Sequence, residues 1–236
     1  MAKSKIEYID ESWNNASGCN HESPGCDNCY AKRQAHRNML MGQAKYSYGF
    51  KLTLHEQCLN YPLTIKKPSM IFVNSMSDTF HKGIPLAYIE RIFDVMTLCP
   101  QHTFLLLTKR AQRLAEVALD LPWPKHIWAG VTVEDAPRMF RLDYLRKVPA
   151  AVRFVSFEPL LTPLPGLDLT GINWAIAGGE TGPGARAMDL DWARGIRDVS
   201  ITSGVPFFFK NRGGFRRPVD GNMLDGRTWT EIPVRE

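Results

Sequence analysis

From Ser69 onward, short apolar runs alternate with stretches whose apolar residues recur every three or four positions. Six runs read as strands: Met70–Asn74 (MIFVN), Thr103–Leu107 (TFLLL), Ile127–Val133 (IWAGVTV), Val152–Phe157 (VRFVSF), Asn173–Ala177 (NWAIA) and Pro206–Lys210 (PFFFK). Between them, Leu86, Ile89, Phe93 and Met96 fall on one helical face, with Pro85 suited to the first turn. Leu114 and Val117 mark a second helix, and Met139, Leu142 and Leu145 a third. Asp189 can cap a fourth, which carries Leu190, Ala193 and Ile196 and ends at Gly204. Lys5–Ile9 (KIEYI) is a candidate seventh strand, and the C-terminal DGRTWTEIPVRE reads as a short strand or hairpin closing a sheet edge.

Strand–helix alternation implies parallel pairing through right-handed crossovers. Runs such as FLLL and FVSF fit strands covered on both faces. Two architectures satisfy this pattern, a full or partial (β/α) barrel and an open doubly wound sheet. No Gly-x-Gly-x-x-Gly follows the first strand, which disfavours a dinucleotide fold. The expected fold is therefore α/β, a partial (β/α)6-type barrel with parallel strands, formed as one domain over residues 1–236.

In such a barrel the functional loops follow the strands. Here they are NSMSD (Asn74–Asp78), TKR (Thr108–Arg110), TVED (Thr132–Asp135), FEP with Glu158, GGETGPGAR with Glu180 and Arg186, and KNRGGFRRP with Lys210, Arg212, Arg216 and Arg217. Each offers a polar or charged group, although loop polarity and helix capping account for such groups equally well one at a time.

The thiols are unevenly spread. Cys19, Cys26 and Cys29 lie within eleven residues of one another, in a loop (18–31) rich in Gly, Pro and Asn, and only Cys58 and Cys99 lie elsewhere. An odd count of five argues against a disulfide framework. No apolar run reaches the ~20 residues that span a bilayer, and MAKSKIEYIDESW lacks a signal-peptide pattern, so the expected location is cytoplasmic. The formal charge of +5 is compatible with a nucleic-acid or nucleotide partner. Four cysteines would close a structural zinc site or fully ligate a cluster. Three can hold a 4Fe-4S cluster and leave one iron open to a small molecule. The alternative is a Cys19/His21/Cys26/Cys29 zinc site in a nucleic-acid-binding protein without radical chemistry.

A partial barrel, a three-cysteine loop after its first strand and polar strand ends resemble the radical S-adenosylmethionine (SAM) superfamily. The segments SWNNASGC, SPGCDNCYA, FVNSMSD, LLLTKR, GVTVED, RFVSFEPLL, WAIAGGETGPGARAM and GVPFFFKNRGG also resemble an uncharacterised phage-associated protein family. The cysteine spacing of six and two residues departs from the superfamily's three and two. The usual aromatic residue follows the third cysteine, as Tyr30, rather than preceding it.

The resemblance implies a 4Fe-4S cluster on Cys19, Cys26 and Cys29, SAM as cosubstrate and an external electron donor. Reductive cleavage of SAM would give a 5′-deoxyadenosyl radical that abstracts hydrogen from a substrate. It places Ser75, Ser77 and Asp78 at the SAM amino group, Lys109 or Arg110 at its carboxylate, Tyr30 beside the cofactor and Glu158 at the ribose or the substrate. Glu180 and Arg186 are the candidates for substrate chemistry. Lys210, Arg212 and Arg216 suit a nucleic-acid backbone. Phage association points to a modified pyrimidine in DNA, with isomerisation or rearrangement of a substituent as the reaction. A solvated basic turn or a structural ion pair is the plainer account of several of these residues.

Overall fold

The computed structural model describes residues 7–215 and 221–234. Seven parallel strands form its main sheet: β1 (Glu11–Trp13), β2 (Met70–Val73), β3 (Thr103–Thr108), β4 (Ile127–Thr132), β5 (Arg153–Phe157), β6 (Trp174–Gly178) and β7 (Phe207–Asn211). They neighbour one another in chain order, and the sheet curls into a half-barrel. A doubly wound sheet would reverse its strand order at a switch point. This one does not. Helices follow five of the strands: α1 (Tyr30–Leu40), α2 (Leu86–Thr97), α3 (Ala111–Val117), α4 (Arg141–Leu145) and α5 (Leu190–Thr202).

Strand side chains alternate between faces, and the two faces collect two separate cores. Ile71, Val73, Phe104, Leu106, Val131, Val155, Phe157, Phe207 and Phe209 pack outward against the helices. Met70, Phe72, Leu105, Trp128, Phe154, Trp174, Ile176 and Phe208 fill the concave side. Gly130 pairs with Phe154 across β4 and β5, and a Cβ at Gly130 would overlap the Phe154 ring. That glycine lets the ring lie flat across the barrel floor.

The beginning of the chain departs from expectation. Lys5 and Ile6 lie outside the described residues. Glu7–Ile9 is not a strand; β1 begins at Glu11 instead. Tyr8 and Ile9 are buried inside the half-barrel, where Tyr8 sits edge-on to Trp174 and Phe208 at 5.1 and 5.0 Å between centroids. The apolar character of Tyr8 and Ile9 thus serves a plug rather than a ladder. Ahead of α1, which starts at Tyr30, a short 3-10 turn covers Pro24–Cys26.

Elsewhere local chemistry acts as read. Asp189 Oδ1 accepts the Asp191 N–H at 2.9 Å and caps α5. The C-terminal segment forms an antiparallel hairpin, Met223–Leu224 with Arg227–Thr228. Its continuation lies along β7, where Phe209 N–H donates to Trp229 O at 2.9 Å. This covers an edge that would otherwise present unpaired backbone groups.

The floor gives a direct test. Gly130→Ala should lower the free energy of unfolding by about 1–3 kcal/mol, the usual range for overpacking. Chemical denaturation measures this. Adding Phe154→Leu should recover part of the loss, because the two positions share one contact.

Candidate cofactor and substrate site

A cavity of about 630 Å³ opens at the carboxyl ends of the strands. Its floor includes Tyr8, Phe72 and Leu107. Its walls bring together Cys19, Cys26, Cys29, Tyr30, Ser75, Ser77, Asp78, Lys109, Glu158 and Lys210, ten of the residues singled out from sequence. Ser12, Asn74, Thr108, Arg110, Thr132, Ser156 and Thr181 complete its polar lining. Glu180, Arg186 and Arg212 are not on its wall, and Arg216 lies outside the described residues.

The cysteine loop is anchored at both ends. At its start Gly18 has φ +85°, and a Cβ there would overlap the Lys51 carbonyl. Gly18 N–H donates to Met76 O at 2.9 Å, and Ser77 Oγ donates to Gly18 O at 2.7 Å. These bonds fix the loop to the segment after β2. Short turns then orient the sulfurs: Cys26 N–H donates to Ser23 O at 2.8 Å and Cys29 N–H to Cys26 O at 3.3 Å. Tyr30 opens α1, and its hydroxyl donates back to Ser75 O.

The segment after β2 turns on Asn74, a non-glycine residue at φ 58°. Asparagine tolerates this left-handed conformation. Its side chain fixes the turn, accepting from Ala16 N–H at 3.0 Å and donating to Asn15 Oδ1 at 2.9 Å. In the sequence, the only sign of this part is a polar amide directly after an apolar strand.

Asp78 is buried and heavily engaged. Its carboxylate accepts from Phe80 N–H at 2.9 Å, Thr108 Oγ1 at 2.7 Å and Arg110 Nη1 at 3.0 Å. Arg110 also reaches Cys19 Sγ at 3.5 Å and Asn20 O at 3.3 Å. Arg110 thus links the acidic group of one loop to the first cysteine of another. Burial raises the Cys19 thiol pKa, and the Arg110 charge opposes that rise. On the far wall Glu158 accepts from Lys210 Nζ at 2.8 Å and from Ser156 Oγ at 3.1 Å, so an ion pair joins the ends of β5 and β7.

Glu180 and Arg186 hold each other. Arg186 Nε donates to Glu180 Oε2 at 2.9 Å and Nη2 to Oε1 at 2.6 Å, a two-point grip. The same guanidinium reaches Asp27 Oδ2 at 3.1 Å and Pro24 O at 2.9 Å. Asn28 Nδ2 donates to Glu180 Oε2 at 2.9 Å and to Gly184 O at 2.8 Å. The glycine-rich loop is thereby clamped onto the cysteine loop. Burial works to raise the Glu180 pKa, but the hydrogen bonds from Arg186 and Asn28 outweigh it and hold the carboxyl below its ordinary value.

The cysteines form no disulfide. His21 Nε2 is bonded to Asp27 Oδ1 at 2.7 Å, and both side chains are more than half exposed. Among the described residues no three His, Cys, Asp or Glu side chains are grouped as ligands of one metal ion. None of the described helices is long and apolar enough to cross a membrane. Cys99 is buried in the core, and Cys58 Sγ accepts from Lys45 Nζ at 3.6 Å.

Comparison with known proteins bears on the family and the fold. The chain belongs to the family described as "Protein of unknown function (DUF5131)", whose model matches residues 3–233. No curated protein sequence matches it. Two solved structures share its fold. One is a mutant spore photoproduct lyase with bound AdoMet and dinucleoside spore photoproduct, and the other is spore photoproduct lyase complexed with dinucleoside spore photoproduct. Each aligns with a TM-score of 0.51 at 12% identity, covering 84% of this chain. The match spans 62% of the lyase chain.

The clamp sets an expectation for thiol access. Arg186→Ala removes charge-assisted bonds of ~1.5–3 kcal/mol each, so local opening should become at least about tenfold more frequent. Alkylation of Cys26 and Cys29, followed by peptide mass spectrometry with Cys99 as the buried reference, reads this. A folded pKa held low means the Glu180 contribution is complete above the ordinary carboxylate range. It is lost as the pH falls through the depressed value. Protection of the amides in residues 18–31, corrected for the pH dependence of intrinsic exchange, should therefore fall in acid, and less so in Arg186→Ala.

Proposed function

We propose that this member of the family is a radical SAM enzyme acting on a nucleobase. The observation that carries the reading is the convergence, in one strand-end cavity, of three half-buried free thiols with a hydroxyl- and carboxylate-bearing loop. The three cysteines line the cavity, whereas His21, the fourth ligand that a zinc site would need, is not on its wall and pairs with Asp27 at the surface. That favours a three-thiolate cluster with one open iron over a closed Cys3His zinc site.

Cys19, Cys26 and Cys29 would hold a 4Fe-4S cluster with one iron left for SAM. When bound, and reduced by an external donor, the cluster supplies the electron that cleaves SAM to methionine and a 5′-deoxyadenosyl radical. The remaining work belongs to the chain. Ser75 and Ser77 offer oxygens to the SAM ammonium, and Tyr30 holds their loop in place through Ser75 O. Asp78 contributes negative charge there while Thr108 and Arg110 keep it oriented. Lys109 is the cation available to the SAM carboxylate. The Glu158–Lys210 pair offers an acceptor and a cation on the opposite wall, for ribose hydroxyls or a substrate. The apolar floor excludes water from the reacting end. Glu180 and Arg186 keep the cysteine loop in place rather than touching the substrate.

For the substrate we take a substituted pyrimidine in phage DNA, with rearrangement or isomerisation of its substituent as the reaction. The net positive charge and the dinucleoside bound by the lyases of similar fold support a nucleotide in this cavity.

Protein reconstituted anaerobically with iron and sulfide, then given SAM and dithionite, should release 5′-deoxyadenosine detectable by mass spectrometry. Cys26→Ala should release none, and Asp78→Asn should bind SAM more weakly. A reconstituted protein that neither binds nor cleaves SAM would overturn the proposal.

A further inference from the structure

Beside the main cavity lies a second hollow of about 460 Å³, lined by Lys32, Arg33, His36, Gly49 and Phe50. Phe50 lines both, so the two spaces adjoin at this residue. Helix α1 supplies Lys32, Arg33, His36 and Arg37 and carries no acidic residue. Arg33 is committed to Asn28 O at 2.7 Å and Thr181 O at 3.2 Å. Lys32 and His36 sit one helical turn apart on the exposed side of α1, and neither has a hydrogen-bond or ion-pair partner among the described residues.

We propose that this hollow is a subsite for the nucleotide adjoining the one in the cavity, within a single DNA strand. The inference rests on the nucleobase reading above. In this proposal a strand that places one base in the cavity leads its backbone out past Phe50, where the second hollow adjoins. The next phosphodiester then meets Lys32 and His36, whose charge complements it, and the next base has the Phe50 ring to stack on. A free nucleoside would leave the subsite empty, so the preferred substrate is a base in a polymer. Tyr48, two residues before Phe50 in the chain, is a second exposed aromatic in this segment.

The test uses full-length reconstituted protein and a fluorescein-labelled twelve-residue oligothymidylate, with binding read by fluorescence anisotropy across a salt series. Wild type should bind. Lys32→Glu/His36→Glu should bind about tenfold more weakly or worse, with a shallower salt dependence, since each single-strand phosphate contact contributes about 0.7 to the slope of log K against log salt. Substrate-free SAM cleavage should be unchanged in that variant, which separates this site from the cofactor site. The neutral Lys32→Gln/His36→Gln variant should fall between the two, and an unshifted melting temperature excludes misfolding.

Equal binding by wild type and both variants would overturn the subsite and leave the nucleic-acid reading standing. No binding by wild type would overturn both, while SAM cleavage would still decide the radical reading separately. Equal, variant-sensitive binding to phosphatidylglycerol vesicles would make this a general anion surface and overturn the strand subsite.

Discussion

Every strand of the main sheet runs in the same direction, and each pairs with the next in sequence. A parallel pair cannot be closed by a tight turn, so every connection must carry the chain back across a face of the sheet. The loops that follow the strands therefore gather at one end, however far apart they lie in sequence. Cys19, Asp78, Lys109, Glu158 and Lys210 meet in one cavity for this reason. The curl matters as much as the direction. On a flat sheet the ends of β1 and β7 would stand six strands apart. Here the cysteines that follow β1 and Lys210 within β7 line the same space.

The cavity is held open by two kinds of contact that oppose collapse. Below, aromatic rings fill the inner face as a rigid floor, with Tyr8 wedged against Trp174 and Phe208. Above, charged networks lash the loops together. Arg110 ties Asp78 to Cys19, Lys210 ties Glu158 across from β7, and Arg186 ties Glu180 to the turn that precedes Cys26. Buried or half-buried charges are strongly unfavourable when unpaired. The wall residues are therefore fixed in position by the penalty for leaving any partner alone, and the loops keep their shape without regular secondary structure.

Much of this was legible in the sequence. The six runs read as strands from Met70 onward are β2–β7, because continuous apolar runs mark strands buried on both faces. The cavity-lining residues could be named because strand ends are where such folds place polar groups. Two features were not legible. β1 is three residues long, with only Trp13 fully apolar, so its pairing with β2 sets its position rather than its own pattern. KIEYI looked more strand-like, but its Tyr8 and Ile9 form a plug, a tertiary role that periodicity does not report. The charges of Glu180 and Arg186 were visible, but their partners were not. A carboxylate and a guanidinium six residues apart can face a substrate or each other, and only the turn between them decides.

The central claim is that three thiolates hold a cluster with one iron left open. Electron paramagnetic resonance of the dithionite-reduced, reconstituted protein, recorded before and after addition of SAM, addresses it most directly. The account expects a reduced-cluster signal whose g values and line shape change when SAM is added, because the open iron gains new ligands. A spectrum indifferent to SAM, or a colourless protein holding stoichiometric zinc and no iron, would contradict it.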